Sequence, residues 1–171
     1  MIKLRLLSTA LLFNNRNELL MMKRAANRTL SPGKWGAIGG HMEPYEIASP
    51  KHTCLREIEE ETGIQAANIE ELQLRYVLIR LYHTEIRQQF FYTGFTNAEP
   101  TIETEEGDLF WVPKQEVLSS NRDLPHVFRS LLTHYFDHED SAHPWIGVAG
   151  KTAETDEPCI RWNPLIDPGI I

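Results

Sequence analysis

The sequence predicts an α/β fold in which a mixed β-sheet lies between helices, and three observations carry that expectation. Apolar and polar residues alternate at the start of the chain, with Ile2, Leu4 and Leu6 leading into an apolar run over 10–13, the period-2 pattern of a strand. A helical segment in the middle is opened by Ser49-Pro50 and stopped by Gly63. Late in the chain Val127, Leu131, Leu132 and Tyr135 recur at helical spacing, so strands flank one central helix and a second helix follows.

Taken in order, Asn14-Asn15-Arg16-Asn17 is turn chemistry between the first strand and a second over 19–24. Residues 25–46 hold Pro32, Gly33, Gly36, Gly39, Gly40 and Pro44, which predicts a loop with one short strand near Ala37-Ile38. In the central helix Ser49 is expected to cap the free amides, and Pro50 takes the first helical position, where its missing N–H costs nothing. Residues 74–82 and 86–95 are rich in β-branched, aromatic and leucine side chains and are separated by His83-Thr84-Glu85, which predicts a hairpin. A short strand over 109–112, a small helix from 113 to 117 and the long helix over 124–136 complete the pattern.

A length of 171 residues suits one domain, expected over 1–137, with a C-terminal extension over 138–171. The extension holds four of the ten prolines and little periodicity, which by composition alone reads as flexible. Trp145, Ile146, Val148, Ile160, Trp162, Leu165, Ile170 and Ile171 nevertheless make it too apolar for a purely solvating strip. Burying four such side chains is worth roughly 6–12 kcal/mol before ordering costs. Residues 144–165 are therefore expected to cover an apolar patch, beside a substrate cleft or across a homodimer interface.

A formal net charge of −7 argues against binding a nucleic-acid polymer, which needs a clustered basic surface. A small anionic substrate would need a local positive element, for which a bound divalent cation is the obvious candidate in an acidic protein. No apolar run approaches the ~20 residues of a membrane helix. The first thirteen residues lack the segmented pattern of a secretion leader, and Cys54 and Cys159 lie far apart, so a cytoplasmic location is expected.

The segment Arg56-Glu57-Ile58-Glu59-Glu60-Glu61-Thr62-Gly63-Ile64 carries the chemistry. On a helix Cys54, Leu55, Ile58 and Thr62 share one face, and Glu57, Glu60 and Glu61 form a stripe beside it. Each like-charge pair costs roughly 0.2–0.5 kcal/mol. A charged stripe is more often only solvated surface, but carboxylate oxygens are also the ligands that Mg²⁺ and Mn²⁺ prefer, and a cation would turn the repulsion into coordination.

Together with Gly39-Gly40-His41-Met42-Glu43-Pro44-Tyr45-Glu46, this segment resembles the defining box of the Nudix hydrolases, G-x5-E-x7-R-E-U-x-E-E-x-G-U with U aliphatic. Gly40 and Glu46 satisfy the first spacing, and Arg56, Glu57, Ile58, Glu60, Glu61, Gly63 and Ile64 satisfy every position of the second half. Nine residues rather than seven separate Glu46 from Arg56, so Ile47 and Ala48 are extra and the place of Glu46 is the open point. Lys23-Arg24, Gly33-Lys34-Trp35 and Glu105-Glu106 ahead of Phe110-Trp111-Val112-Pro113 look like their counterparts in Nudix proteins that act on nucleoside triphosphates.

The resemblance implies a Nudix-type α/β/α sandwich and hydrolysis of a phosphoanhydride bond with Mg²⁺, for which Mn²⁺ is a substitute. It implies Glu57, Glu60, Glu61 and the Gly39 carbonyl as metal ligands and Arg56 as an anchor for a carboxylate through its i+4 neighbour Glu60. Arg56, Glu60 and Glu105 are the catalytic candidates. Glu60, Glu105 and Glu106 all stay open as the general base. Arg24, Trp35 and Phe91 are candidates for holding the nucleotide, the two rings, like Phe110, by stacking on a base, although such rings are more often core.

The expected substrate is a nucleoside triphosphate, oxidised or not, giving monophosphate and pyrophosphate. A nucleoside diphosphate sugar or a dinucleotide polyphosphate is the alternative, and a sensing module that binds without cutting is the alternative of another class. His134, Asp137, His138 and His143 form a rival constellation for zinc, but no glutamate follows His134 as in H-E-x-x-H.

Overall fold

The computed structural model describes residues 1–27, 32–119, 121–152, 154 and 156–169. Residues 28–31 of the expected loop, and Ile170 and Ile171 of the tail, lie outside the described residues. The first strand, β1 (Lys3–Phe13), crosses the middle of the sheet and serves two cores: Leu11 and Phe13 face one, Ala10 and Leu12 the other. Asn14 makes the turn that follows, its side-chain oxygen accepting the amides of Arg16 and Glu18 at 3.0 Å each. In β2 (Glu18–Arg24), Leu19 and Met21 enter the first core and Leu20 and Met22 the second.

The glycine-rich stretch holds the short strand expected near Ala37-Ile38 and a second one before it. It contains β3 (Trp35–Gly36) on β2 and β4 (Ile38–His41) on β1, with Gly39 opposite Thr9 and Gly40 opposite Ser8. The ladder offered by the middle of β1 outweighs the low strand propensity of glycine. Helix α1 (Pro50–Thr62) runs as expected, and Gly63 ends it at φ 74°, its N–H donating to the Glu59 carbonyl. Ser49 occupies the cap position, but its side chain makes no capping bond. The reciprocal capping lies upstream, where Glu43 and Glu46 accept one another's amides around a single 3-10 turn.

The hairpin of β5 (Glu70–Tyr82) and β6 (Glu85–Phe95) follows the sequence reading, and β6 runs parallel to β1 along its full length. Strand β7 (Gly107–Pro113) pairs with β2, and the expected small helix is only a 3-10 turn over Lys114–Glu116. Helix α2 (His126–Asp137) buries Phe128, Leu131, Leu132 and Tyr135 against the first core, whereas α1 buries Cys54 and Ile58 in the second. The helices thus cover opposite faces.

The C-terminal segment continues the sheet. Strand β8 (Trp145–Lys151) runs parallel to β5, and β9 (Pro158–Pro164) returns antiparallel along it. Trp145 and Trp162 close over the first core, with the Tyr76 and Trp162 rings 5.2 Å apart. The main path of the sheet is β3-β2-β1-β6-β5-β8-β9, with β4 on β1 and β7 on β2. The result is a mixed sheet between two helices. Among the described residues no helix is long and apolar enough to cross a membrane.

Candidate active site

Glu46 has a side chain with no solvent exposure and is the anchor of the site. Arg56 donates to it twice, from Nε to Oε1 and from Nη2 to Oε2, both at 2.9 Å. Thr53 Oγ1 and the Glu43 amide add bonds of 2.9 Å each to Oε2. These donors, the Arg56 fork first, hold the Glu46 carboxyl at about 2, well below its usual range, despite burial. The two extra residues loop out: Ser49 N–H closes on the Glu46 carbonyl at 2.7 Å, and Ile47 is exposed. With the extra pair looped out, Glu46 still meets the Arg56 guanidinium.

The other side of the Arg56 guanidinium points along α1. Nη1 donates to Glu57 Oε1 at 2.9 Å and to Glu60 Oε2 at 2.8 Å, while Nη2 also reaches the His41 carbonyl at 3.0 Å. Arg56 thus anchors three carboxylates, of which the expected partner Glu60 is the most exposed, at 57%. Among the described residues no three His, Cys, Asp or Glu side chains converge as a metal-binding group.

Glu57 and Glu61 line a cleft of about 620 Å³, within the usual size for a small-molecule site. Glu60 does not line it. Burial raises the Glu57 carboxyl, and burial pushes Glu61 up to about 8, with Glu57 and Glu106 adding to the rise against one bond from the Gly39 amide. Gly40 makes room for this arrangement, since a Cβ there would lie 2.5 Å from a Glu57 carboxylate oxygen.

The remaining candidates separate cleanly. Arg24 and Phe91 line the cleft, and Arg24 pairs with Glu106 at 3.1 Å. Glu105 is exposed and stays outside, so of the two neighbouring glutamates it is Glu106 that enters the wall. Trp35 is not part of the lining: its ring lies 5.2 Å from Phe110, with the Arg122 guanidinium 5.3 Å away on it. Sequence reasoning missed Arg80, Arg87 and Gln89 from the hairpin and Phe128 from α2. Alternation within β6, where Arg87, Gln89 and Phe91 fall two apart, is the signal that would have placed the strand residues on one face.

The histidine constellation has another use. The Tyr76 hydroxyl lies 2.9 Å from His134 Nδ1, His138 stacks on His134 at 4.1 Å, and Trp145 and Trp162 pack around the His134 ring. Burial, and then His138, lowers the pKa of His134.

Three comparisons bear on this geometry. The family profile described as NUDIX domain matches residues 3–156. Isopentenyl-diphosphate Delta-isomerase of Haloarcula marismortui is 28% identical over 157 residues, covering 85% of this chain and 74% of that protein. Nucleoside triphosphatase NudI of an Enterobacter species is 27% identical over 121 residues, covering 62% of this chain and 80% of that protein. Among solved structures, the MutT protein from Methanosarcina mazei Go1 matches with TM-score 0.68 at 25% identity, over 82% of this chain and 97% of that one.

Proposed function

This chain belongs to the NUDIX domain family of hydrolases, and from that premise we propose that it cleaves a nucleoside triphosphate to monophosphate and pyrophosphate. The observation that carries this reading is the cleft itself, which places the desolvated acids Glu57 and Glu61 beside Glu106 and Arg24. The name of the NudI relative supports the substrate class.

The donor set fits a hard divalent cation. Glu61 is a buried carboxylate whose pKa is raised by burial and then by two neighbouring acids, an arrangement that positive charge would relieve. Glu57, Glu61 and the Gly39 carbonyl from the cleft wall, with Glu60 beside that wall on α1, are the residues that would hold Mg²⁺ or Mn²⁺. Such an ion neutralises phosphate charge and lowers the pKa of bound water.

The chain's own groups then have distinct tasks. Arg56, fixed by Glu46, sets the rotamers of Glu57 and Glu60. Glu106 is the general base, being the one of the three open candidates in the cleft wall, and Arg24 orients its carboxylate. Phe91 and Phe128 supply apolar surface for the nucleoside. A cytoplasmic setting and a homodimer remain part of the proposal.

A second reading is favoured by the isomerase relative, whose name also specifies a diphosphate compound: the site would hold a diphosphate without cutting it. Product analysis across nucleoside triphosphates, diphosphate sugars and dinucleotide polyphosphates, with Mg²⁺ and with Mn²⁺, separates the two. Pyrophosphate plus monophosphate from a triphosphate is the expected result. No phosphoanhydride cleavage of any of them would overturn the hydrolytic reading.

A further inference from the structure

Arg80 on β5 and Arg87 on β6 are direct cross-strand partners, and both line the cleft from its sheet wall, whereas the carboxylates come from α1. Like charges in that relation destabilise a sheet. Arg87 is compensated: its Nε and Nη2 donate to Glu85 Oε2 at 3.1 and 3.0 Å, and its guanidinium lies 4.1 Å from the Tyr82 ring centre. The other oxygen of Glu85 is taken by Arg5, at 3.2 and 3.0 Å. One carboxylate thus serves two guanidiniums, and Arg80 receives none. Among the described residues its one charge-related contact is the Tyr82 ring at 6.0 Å.

The neighbourhood supplies little else to neutralise Arg80. The imidazole of His41 occupies an Arg5 N–H at 2.9 Å. Glu43, also in the cleft wall, accepts the Glu46 amide in the capping pair. Burial and the Arg87 charge lower the pKa of Arg80. A chain with net charge −7 thus keeps a concentrated positive spot inside its cleft.

We propose that Arg80 and Arg87 form an oxyanion subsite that grips a phosphoryl group of the substrate beyond the bond that is cut, and so selects triphosphates over diphosphates. This deepens the hydrolytic reading and rests on it for the word substrate. Paired guanidiniums match phosphoryl oxygens through parallel N–H···O bonds, and an anion between them turns their repulsion into two attractions.

The test is calorimetric titration of inorganic tripolyphosphate into the full chain in EDTA, where the α1 carboxylates repel the probe and only the arginines attract it. Wild type is expected to bind, and Arg80→Gln to lose about tenfold or more in affinity, close to 1.4 kcal/mol. Arg161→Gln, an exposed residue on β9, should bind like wild type. Arg80→Gln should melt at the wild-type temperature or above, since it removes a repulsion, which separates lost binding from lost folding. Absence of binding to wild type, or an Arg80→Gln variant that binds equally well, overturns the subsite. Lost anion binding in a protein that cuts no nucleotide would instead overturn the hydrolytic reading and leave the subsite standing.

Discussion

The Arg56 guanidinium and the Glu46 carboxylate, ten positions apart, are joined by two hydrogen bonds of 2.9 Å. The Glu46 pKa falls from 4.5 to about 2, so its contribution is fully present above pH 4.5 and is lost as pH falls toward 2. The size is on the order of 3 kcal/mol. Glu46→Gln should be destabilised by roughly that amount at pH 7, and urea unfolding should show the gap to wild type closing between pH 4.5 and 2. A gap that is constant with pH would mean that the fork contributes no net charge interaction.

Glu61 has the opposite sign. Its folded pKa of about 8 lies above the ordinary 4.5, so the metal-free protein loses stability as pH rises through that range. In EDTA at pH 8, Glu61→Gln should melt a few degrees above wild type, and the difference should disappear near pH 4. Adding Mg²⁺ should raise the wild-type melting temperature and leave the variant unmoved. An equal metal response in both would remove Glu61 from the metal site.

Gly40→Ala tests positioning. The added methyl would lie 2.5 Å from the Glu57 carboxylate and force it to shift. Displacements of this kind cost on the order of a hundredfold in rate. Circular dichroism should remain that of wild type while kcat falls; unchanged kcat would show that Glu57 has slack.

Trp162 ties the β8–β9 hairpin to the core through Tyr76 and His134. Trp162→Ala should cost about 2–3 kcal/mol, at or below the low end for a buried tryptophan because the ring is only partly covered. Light scattering and thermal melting of the chain truncated after Asp140 should report exposure of the same surface. Unchanged mass and melting temperature would make the segment a passenger.

Much of this was legible because periodicity and punctuation agree with the tertiary environment. The alternation in β1, the asparagine turn, Pro50 and Gly63 each specify local geometry, and the acids of α1 follow from helical spacing. Two kinds of feature were hidden. Gly39-Gly40 became a strand and the tail a hairpin because β1 and β5 offered open edges, which no local propensity encodes. Arg80 and Arg87 entered the cleft because strand register decides which alternate residues face inward, whereas Glu105 and Glu106 sit in the turn before β7, where sequence periodicity gives no signal for which of the two reaches the wall.

Turnover as a function of Mg²⁺ concentration in wild type and Glu57→Gln, read as pyrophosphate released from a nucleoside triphosphate, decides whether this cleft is a metal-dependent hydrolytic site. Glu57 lines the cleft and is held by Arg56 at 2.9 Å, so the carboxamide keeps the shape and removes the charge. Wild type is expected to release pyrophosphate in a metal-dependent way, and the variant to lose on the order of a hundredfold or more that saturating Mg²⁺ does not restore. Metal-independent turnover, or a Glu57→Gln variant as fast as wild type, would contradict that assignment.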